Sequence, residues 1–148
     1  MKQHSTRNKK GQATIEMAFT MLFFLVALFV LADLTRITYN WMVLQFAVNE
    51  GARFGSLGRT DSACDQNADI RGCSIQKKVT DTAKDLGVED VNVHFGDSGS
   101  GQSSEFFTLV AFRNLNVNSL TGLLLNIAGD HGKIYHIEAI TIIRNEPF

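Results

Sequence analysis

The stretch Met17–Ala32, MAFTMLFFLVALFVLA, contains no charged residue and a single polar one, Thr20. Its sixteen residues fall between two templates: a membrane-spanning helix takes roughly 20 apolar residues, and the core of a secretory signal roughly 7–15. Three readings compete. A secretory signal peptide would be cut after Ala32, at Val30-Leu31-Ala32, and release a soluble protein starting at Asp33. An uncleaved signal anchor would stay in the membrane. A pilin-type leader would be cut on the cytoplasmic side, ahead of the apolar run, where Lys9-Lys10-Gly11 stands.

Glu16 separates these readings. A carboxylate at the rim of a hydrocarbon span costs on the order of a few kcal/mol, and a plain signal peptide has no use for it. After a cut between Gly11 and Gln12, Glu16 is the fifth residue of the mature chain. The amine freed at Gln12 of a neighbouring subunit can then neutralise it within the bilayer. The competing reading leaves Glu16 solvated among the lipid headgroups, which suits either anchor and removes only its assembly role. The pilin-type cut is the favoured expectation.

Flanking residues lengthen the apolar surface to spanning size, with Thr14 and Ile15 before the run and Leu34 and Ile37 after it, so the span is expected at about 14–37. Asp33 and Arg36, three residues apart, are placed to pair on one helix face. Tyr39 and Trp41 follow where an aromatic belt would lie. The first eleven residues hold Lys2, Arg7, Lys9 and Lys10 and no acid, so the N-terminus is expected in the cytoplasm and the remainder outside. Without those four, ten basic residues face fifteen acidic ones, a balance that argues against nucleic acid as a partner.

The helical period continues past the span. Ile37, Trp41, Leu44 and Val48 step by 4, 3 and 4 and mark one apolar stripe. One helix from Gln12 to about Phe54 is therefore expected, roughly 65 Å long at ~1.5 Å per residue. Gly51 and Gly55 have G-x-x-x-G spacing, and fraying at the end of the helix is the favoured explanation for them.

At this point the residues resemble a known family. GQATIE (Gly11–Glu16), the apolar run, DLTR (Asp33–Arg36), NEGAR (Asn49–Arg53) and RNEP (Arg144–Pro147) look like TadE-family minor pseudopilins of tight-adherence (Flp/Tad) pilus systems. The resemblance covers the N-terminal third and the last strand. Gln12 departs from the Phe common at that place in ordinary type IV pilins. The resemblance implies cleavage after Gly11 by a prepilin peptidase and a role in pilus assembly or initiation. The partners it implies are other pilin or pseudopilin subunits and the inner-membrane assembly platform.

The segment from residue 58 to 148 is expected to be a small extracytoplasmic domain. Gly58–Gly72 is polar and reads as a loop holding Cys64. With Cys73 just beyond, the pair is expected to form a disulfide in an oxidising compartment; two unrelated thiols are the alternative. Ile75, Val79, Ala83 and Leu86 recur at helical spacing, so residues 75–86 read as an amphipathic helix ended by Gly87. Asp90–Phe95 alternates Val91, Val93 and Phe95 on one face and reads as a strand. GDSGSGQSS (Gly96–Ser104) is a connection, and Glu105–Arg113 reads as a central strand, apolar on both faces. Ile134–Arg144 gives the last strand. The economical fold is α+β: a long N-terminal transmembrane helix continuing into a domain in which one helix packs on a three-stranded antiparallel sheet. Leu120, Leu123, Leu124 and Leu125 are expected to pack in the core, with a partner contact as the alternative.

Apparent sites dissolve on inspection. Gly129–Lys133, GDHGK, lacks the spacing and the Ser/Thr of a phosphate loop and reads as a turn. His94 and His136 have no ligand partners at metal-binding spacing. Asp61, Asp65 and Asp69 lack the glycine and terminal glutamate of a calcium loop and read as solvated charge. No nucleophile stands beside a base. Neither an enzyme nor a cofactor or metal is expected. Two rivals to the pilus role remain: a static membrane-anchored periplasmic adaptor of an export machine, and a secreted binding protein cut after Ala32.

Overall fold

A computed structural model describes residues 9–64, 69–96, 99, 105–116 and 134–146. The first eight residues of the expected leader, Asp65, most of the Gly96–Ser104 connection, the leucine group at 120–125, the turn at 129–133 and Pro147 lie outside the described residues. Two compact units are present; residues up to Thr35 belong to one, and Arg36–Asn116 with the chain from Ile134 onward form the other.

The helix α1 runs without a break over Lys9–Ser56. Up to Gly51 nothing interrupts it, because the apolar run consists of Leu, Phe, Met, Ala and Val, and no Pro occurs before Pro147. From Ile15 to Leu34 its large apolar side chains stand exposed, apart from the half-buried Val26. From Asn40 onward one face is buried: Val43, Leu44, Ala47, Val48 and Ala52, at the spacing of a helix seated on a core. Ile37 packs against that core, as the periodicity indicates. Trp41 does not; it is 48% exposed. The buried stripe passes instead through Asn40 and Val43, one residue round the helix from where the 4-3-4 stepping places it.

The second helix, α2, spans Ile70–Asp85, a turn and a half earlier than the apolar spacing indicates. Its start is set by a cap: the Asp69 carboxylate accepts the Gly72 N–H at 2.8 Å, satisfying one of the amides that the first turn leaves unpaired. Asp69, read from the sequence as solvated charge, thus has a structural task. The helix ends in a two-bond reversal. Gly87, at φ 76°, donates to Lys84 C=O, and Val88 donates to Ala83 C=O, both at 2.9 Å. Only the glycine takes that left-handed conformation cheaply, and the buried Val88 closes the turn.

Three strands follow, β1 (Asn92–Phe95), β2 (Phe106–Asn116) and β3 (Ile134–Arg144), in the order β1-β2-β3 and all antiparallel. β2 is central, as expected. The register runs from Phe106 against Arg144 to Asn116 against Ile134 without a bulge. Alternate residues of one face (Val93; Phe107, Leu109, Ala111, Leu115; Ile137, Ala139) join Ile75, Val79 and Ala83 of α2 and the stripe of α1 in one core. The observed architecture is the α+β one expected: a long apolar helix, then a helix and a three-stranded antiparallel sheet. Among the described residues no helix covers the sheet's other face; Phe106 there is 62% exposed.

Gly51 and Gly55 require a correction. They do not mark a fraying end; they are where α1 and α2 touch. A methyl at Gly51 would sit inside contact distance of Val79 Cγ2, and one at Gly55 would lie 2.5 Å from Ile75 Cδ1 and 3.4 Å from Phe107 Cζ. Two glycines one turn apart let the helix backbones approach until Ile75 and Val79 fill the space side chains would have taken.

Candidate functional site

The exposed apolar part of α1 is the first candidate. Met17, Phe19 and Phe23 are 75%, 71% and 76% exposed, values that soluble surfaces rarely sustain over a continuous run. By length and composition this helix is suited to cross a membrane, and such a helix suggests membrane anchoring. A β-carbon added at Gly11 would meet no atom of the described residues within 4 Å, its own helix backbone aside, and Gln12 is exposed. Glu16 is exposed one turn later, its C=O accepting Thr20 Oγ1–H at 2.9 Å. That bond lets the one polar residue of the run satisfy its hydroxyl within its own helix. Asp33 is half-buried and Arg36 is exposed, one turn apart on α1.

The second candidate is the set of polar contacts that binds the α/β unit together around α1. Asn40 is 5% exposed; its amide donates to Arg36 C=O at 2.7 Å and its Oδ1 accepts from Arg113 Nη1 at 2.6 Å. The Tyr39 hydroxyl donates to Leu86 C=O at 2.9 Å, joining α1 to the end of α2. At the far end of α1, Arg71 Nη2 donates to Gly55 C=O at 2.8 Å and also to Asn145 Oδ1, with its guanidinium 5.7 Å from the centre of the Phe107 ring. Burial pulls Arg71 below the usual guanidinium value, and Asp69 acts in the opposite sense. Glu146 N–H donates to Ser56 C=O at 3.1 Å, so the last described residues are fastened to the C-terminal turn of α1. This gives the RNEP stretch a physical purpose: Asn145, 1% exposed, is the acceptor Arg71 needs. The sequence carries no local sign of that latch, because Arg71 and Asn145 are 74 residues apart.

Cys64, in a 3-10 turn (Ser62–Cys64), and Cys73, in the first turn of α2, are joined by a disulfide. Beside it the Asp61 carboxylate accepts from Lys77 Nζ at 2.7 Å and from Ala63 N–H at 2.9 Å. The Lys77 hydrogen bond holds the Asp61 carboxyl below its usual range and raises Lys77 in return. A disulfide closing so short a loop is worth roughly 2–3 kcal/mol. The Cys64→Ser/Cys73→Ser double variant should therefore be less stable by about that amount and unfold at a lower denaturant concentration. Identical urea midpoints for variant and parent would exclude it.

Other sequence candidates lie apart from these contacts. His94 and His136 flank Phe112 on the open face of the sheet, with ring centres at 5.3 Å and 5.0 Å. Among the described residues no group of three or more His, Cys, Asp or Glu is placed to hold a metal ion.

Comparison with curated proteins and with solved structures gives no match. A family comparison does. Residues 11–53, which carry Gly11, Glu16, the apolar run and Gly51, the first of the two packing glycines, match the model of the family described as TadE-like protein; this part of the chain is similar to that family, and the similarity suggests a protein associated with tight-adherence pili.

Proposed function

We propose that the chain is a minor pseudopilin that takes part in assembling or initiating a tight-adherence pilus, after a prepilin peptidase cuts between Gly11 and Gln12. One observation carries this reading: the TadE-like match falls on a helix whose large apolar side chains from Ile15 to Leu34 are exposed except at Val26, with Glu16 inside that surface. The basic leader parks the precursor with its N-terminus in the cytoplasm and the α/β unit across the inner membrane. Cleavage then creates an amine at Gln12. Within the bilayer, Glu16 of one subunit and the amine of the next neutralise each other, and the bare helix packs among those of other pilin subunits at the assembly platform. No step requires a cofactor or a catalytic group in this chain.

The residue at the N-terminus of the protein purified from its host tests the proposal. Gln12 is expected. Asp33 would make it a secreted protein, and Met1 a static anchor. In the same host, Glu16→Ala should leave insertion and cleavage intact yet lower pilus number by more than about tenfold, since the Gln12 amine would lose its counter-charge and an uncompensated charge inside the membrane costs roughly 2.5–3.5 kcal/mol. Normal piliation in that variant would remove the role assigned to Glu16.

A further inference from the structure

The strand β3 ends the sheet, and among the described residues no strand pairs with its outer edge. Asn145 N–H donates to Glu105 C=O at 2.9 Å, continuing the β2–β3 ladder. In an antiparallel ladder alternate residues direct both N–H and C=O to the same neighbour. The odd-numbered residues of β3 therefore face β2, and Glu138, Ile140, Ile142 and Arg144 direct theirs to the outer edge. The same four carry their side chains on the open face, where Ile140 is 51% and Ile142 66% exposed and both charged residues are exposed. Proteins usually blunt such an edge with charged side chains, above all Lys, with Pro or with a bulge. IYHIEAITIIR contains neither Lys nor Pro, its register is unbroken, and its two charges, Glu138 and Arg144, are of opposite sign.

We infer that this edge is a self-association surface, at which two copies of the chain pair their β3 strands antiparallel about a twofold axis through Thr141. The order Glu138, Ile140, Ile142, Arg144 is self-complementary. About Thr141, Glu138 of one copy meets Arg144 of the other, and Ile140 meets Ile142, each twice by symmetry. Neighbouring registers lack this match. Centring on Ile140 sets Glu138 against Ile142 and His136 against Arg144; centring on Ala139 sets Glu138 against Ile140. Charge complementarity thus selects both the partner, a second copy, and the register. The result is one six-stranded sheet with its two exposed isoleucine pairs covering each other. The inference does not depend on whether the leader is cut.

Thr141→Cys in the full chain, in membranes or detergent, tests it. Two residues facing each other across the axis form a non-hydrogen-bonded pair with Cα atoms about 4.5 Å apart, within disulfide reach. Oxidation should give a covalent dimer, and the cross-linked peptide should join residue 141 to its own copy. Adding Arg144→Glu should lower the dimer yield roughly tenfold by turning two opposite-charge pairs into like-charge pairs. Adding Glu138→Arg as well should restore it. A folded Thr141→Cys chain that stays monomeric, a cross-link to a different protein, or a yield indifferent to Arg144→Glu would each overturn the inference. Should the cysteine variant fail to fold, sedimentation of the charge variants without it decides. The parent and the double reversal should be dimers and Arg144→Glu a monomer; three monomers would refute the surface.

Discussion

Replacing Gly51 by leucine is expected to destabilise the α/β unit by about 3 kcal/mol or more, at the upper end of the range for overpacked cores. Two effects oppose each other at this position. Alanine and leucine both favour the helix over glycine, by up to about 1 kcal/mol. Against this, even a methyl would collide with Val79 Cγ2 and stand 3.5 Å from Ile75 C=O. Val79 is fully buried on a helix, where a β-branched side chain has one strongly preferred rotamer and cannot swing aside. The clash therefore outweighs the propensity. Gly51→Ala should lose about 1–2 kcal/mol, and the leucine, with three further carbons, should lose more than the alanine. The sign is the decisive part of the measurement. At a frayed helix end, Gly51→Ala would raise the urea midpoint; between packed helices it must lower it.

Arg71→Met should cost about 3 kcal/mol, the next largest effect. The methionine retains the stem's packing but leaves Asn145 Oδ1 and Gly55 C=O without the donor that serves both. Hydrogen bonds from a charged donor contribute about 1.5–3 kcal/mol each, and the stacking over Phe107 adds roughly 0.5–1 kcal/mol. The sum is discounted because Arg71 is only half-buried. Arg71→Lys should fall between the two, because a compact ammonium cannot reproduce the guanidinium's forked geometry. Amide exchange sharpens the test. Glu146 N–H, bonded to Ser56 C=O, should exchange faster in Arg71→Met, since it belongs to the same latch. Unchanged protection together with a stability change below about 0.5 kcal/mol would mean that the C-terminal residues hold without Arg71.

Much of this fold can be read from neighbouring residues alone. The bare run at 17–32, the stripe from Ile37 to Val48, the 4-4 spacing of Ile75, Val79 and Ala83, and the alternation of Val91, Val93 and Phe95 are all local patterns. Periods of 3.6 and 2 arise from backbone geometry, so they survive without knowledge of what lies opposite. The start of α2 is legible in principle: Asp69 ahead of Ile70 is a capping residue, although in a loop shared with Asp61 and Asp65 it reads as solvated charge. The position of Trp41 is not legible. It fits the stripe by spacing, yet the buried stripe turns toward Asn40, which Arg113 holds from 73 residues away.

The sequence by itself determined the sequence-local facts: one long helix with an unbroken apolar surface, Glu16 as fifth residue after the expected cut, and an α+β unit with β2 at its centre. Only the tertiary structure decided what Gly51, Gly55, Arg71 and Asn145 are for. Their roles consist of contacts between segments far apart along the chain. A residue whose function is to leave room, or to accept one hydrogen bond from a distant donor, imposes no period on its neighbours, so the pattern around it carries no trace of the partner.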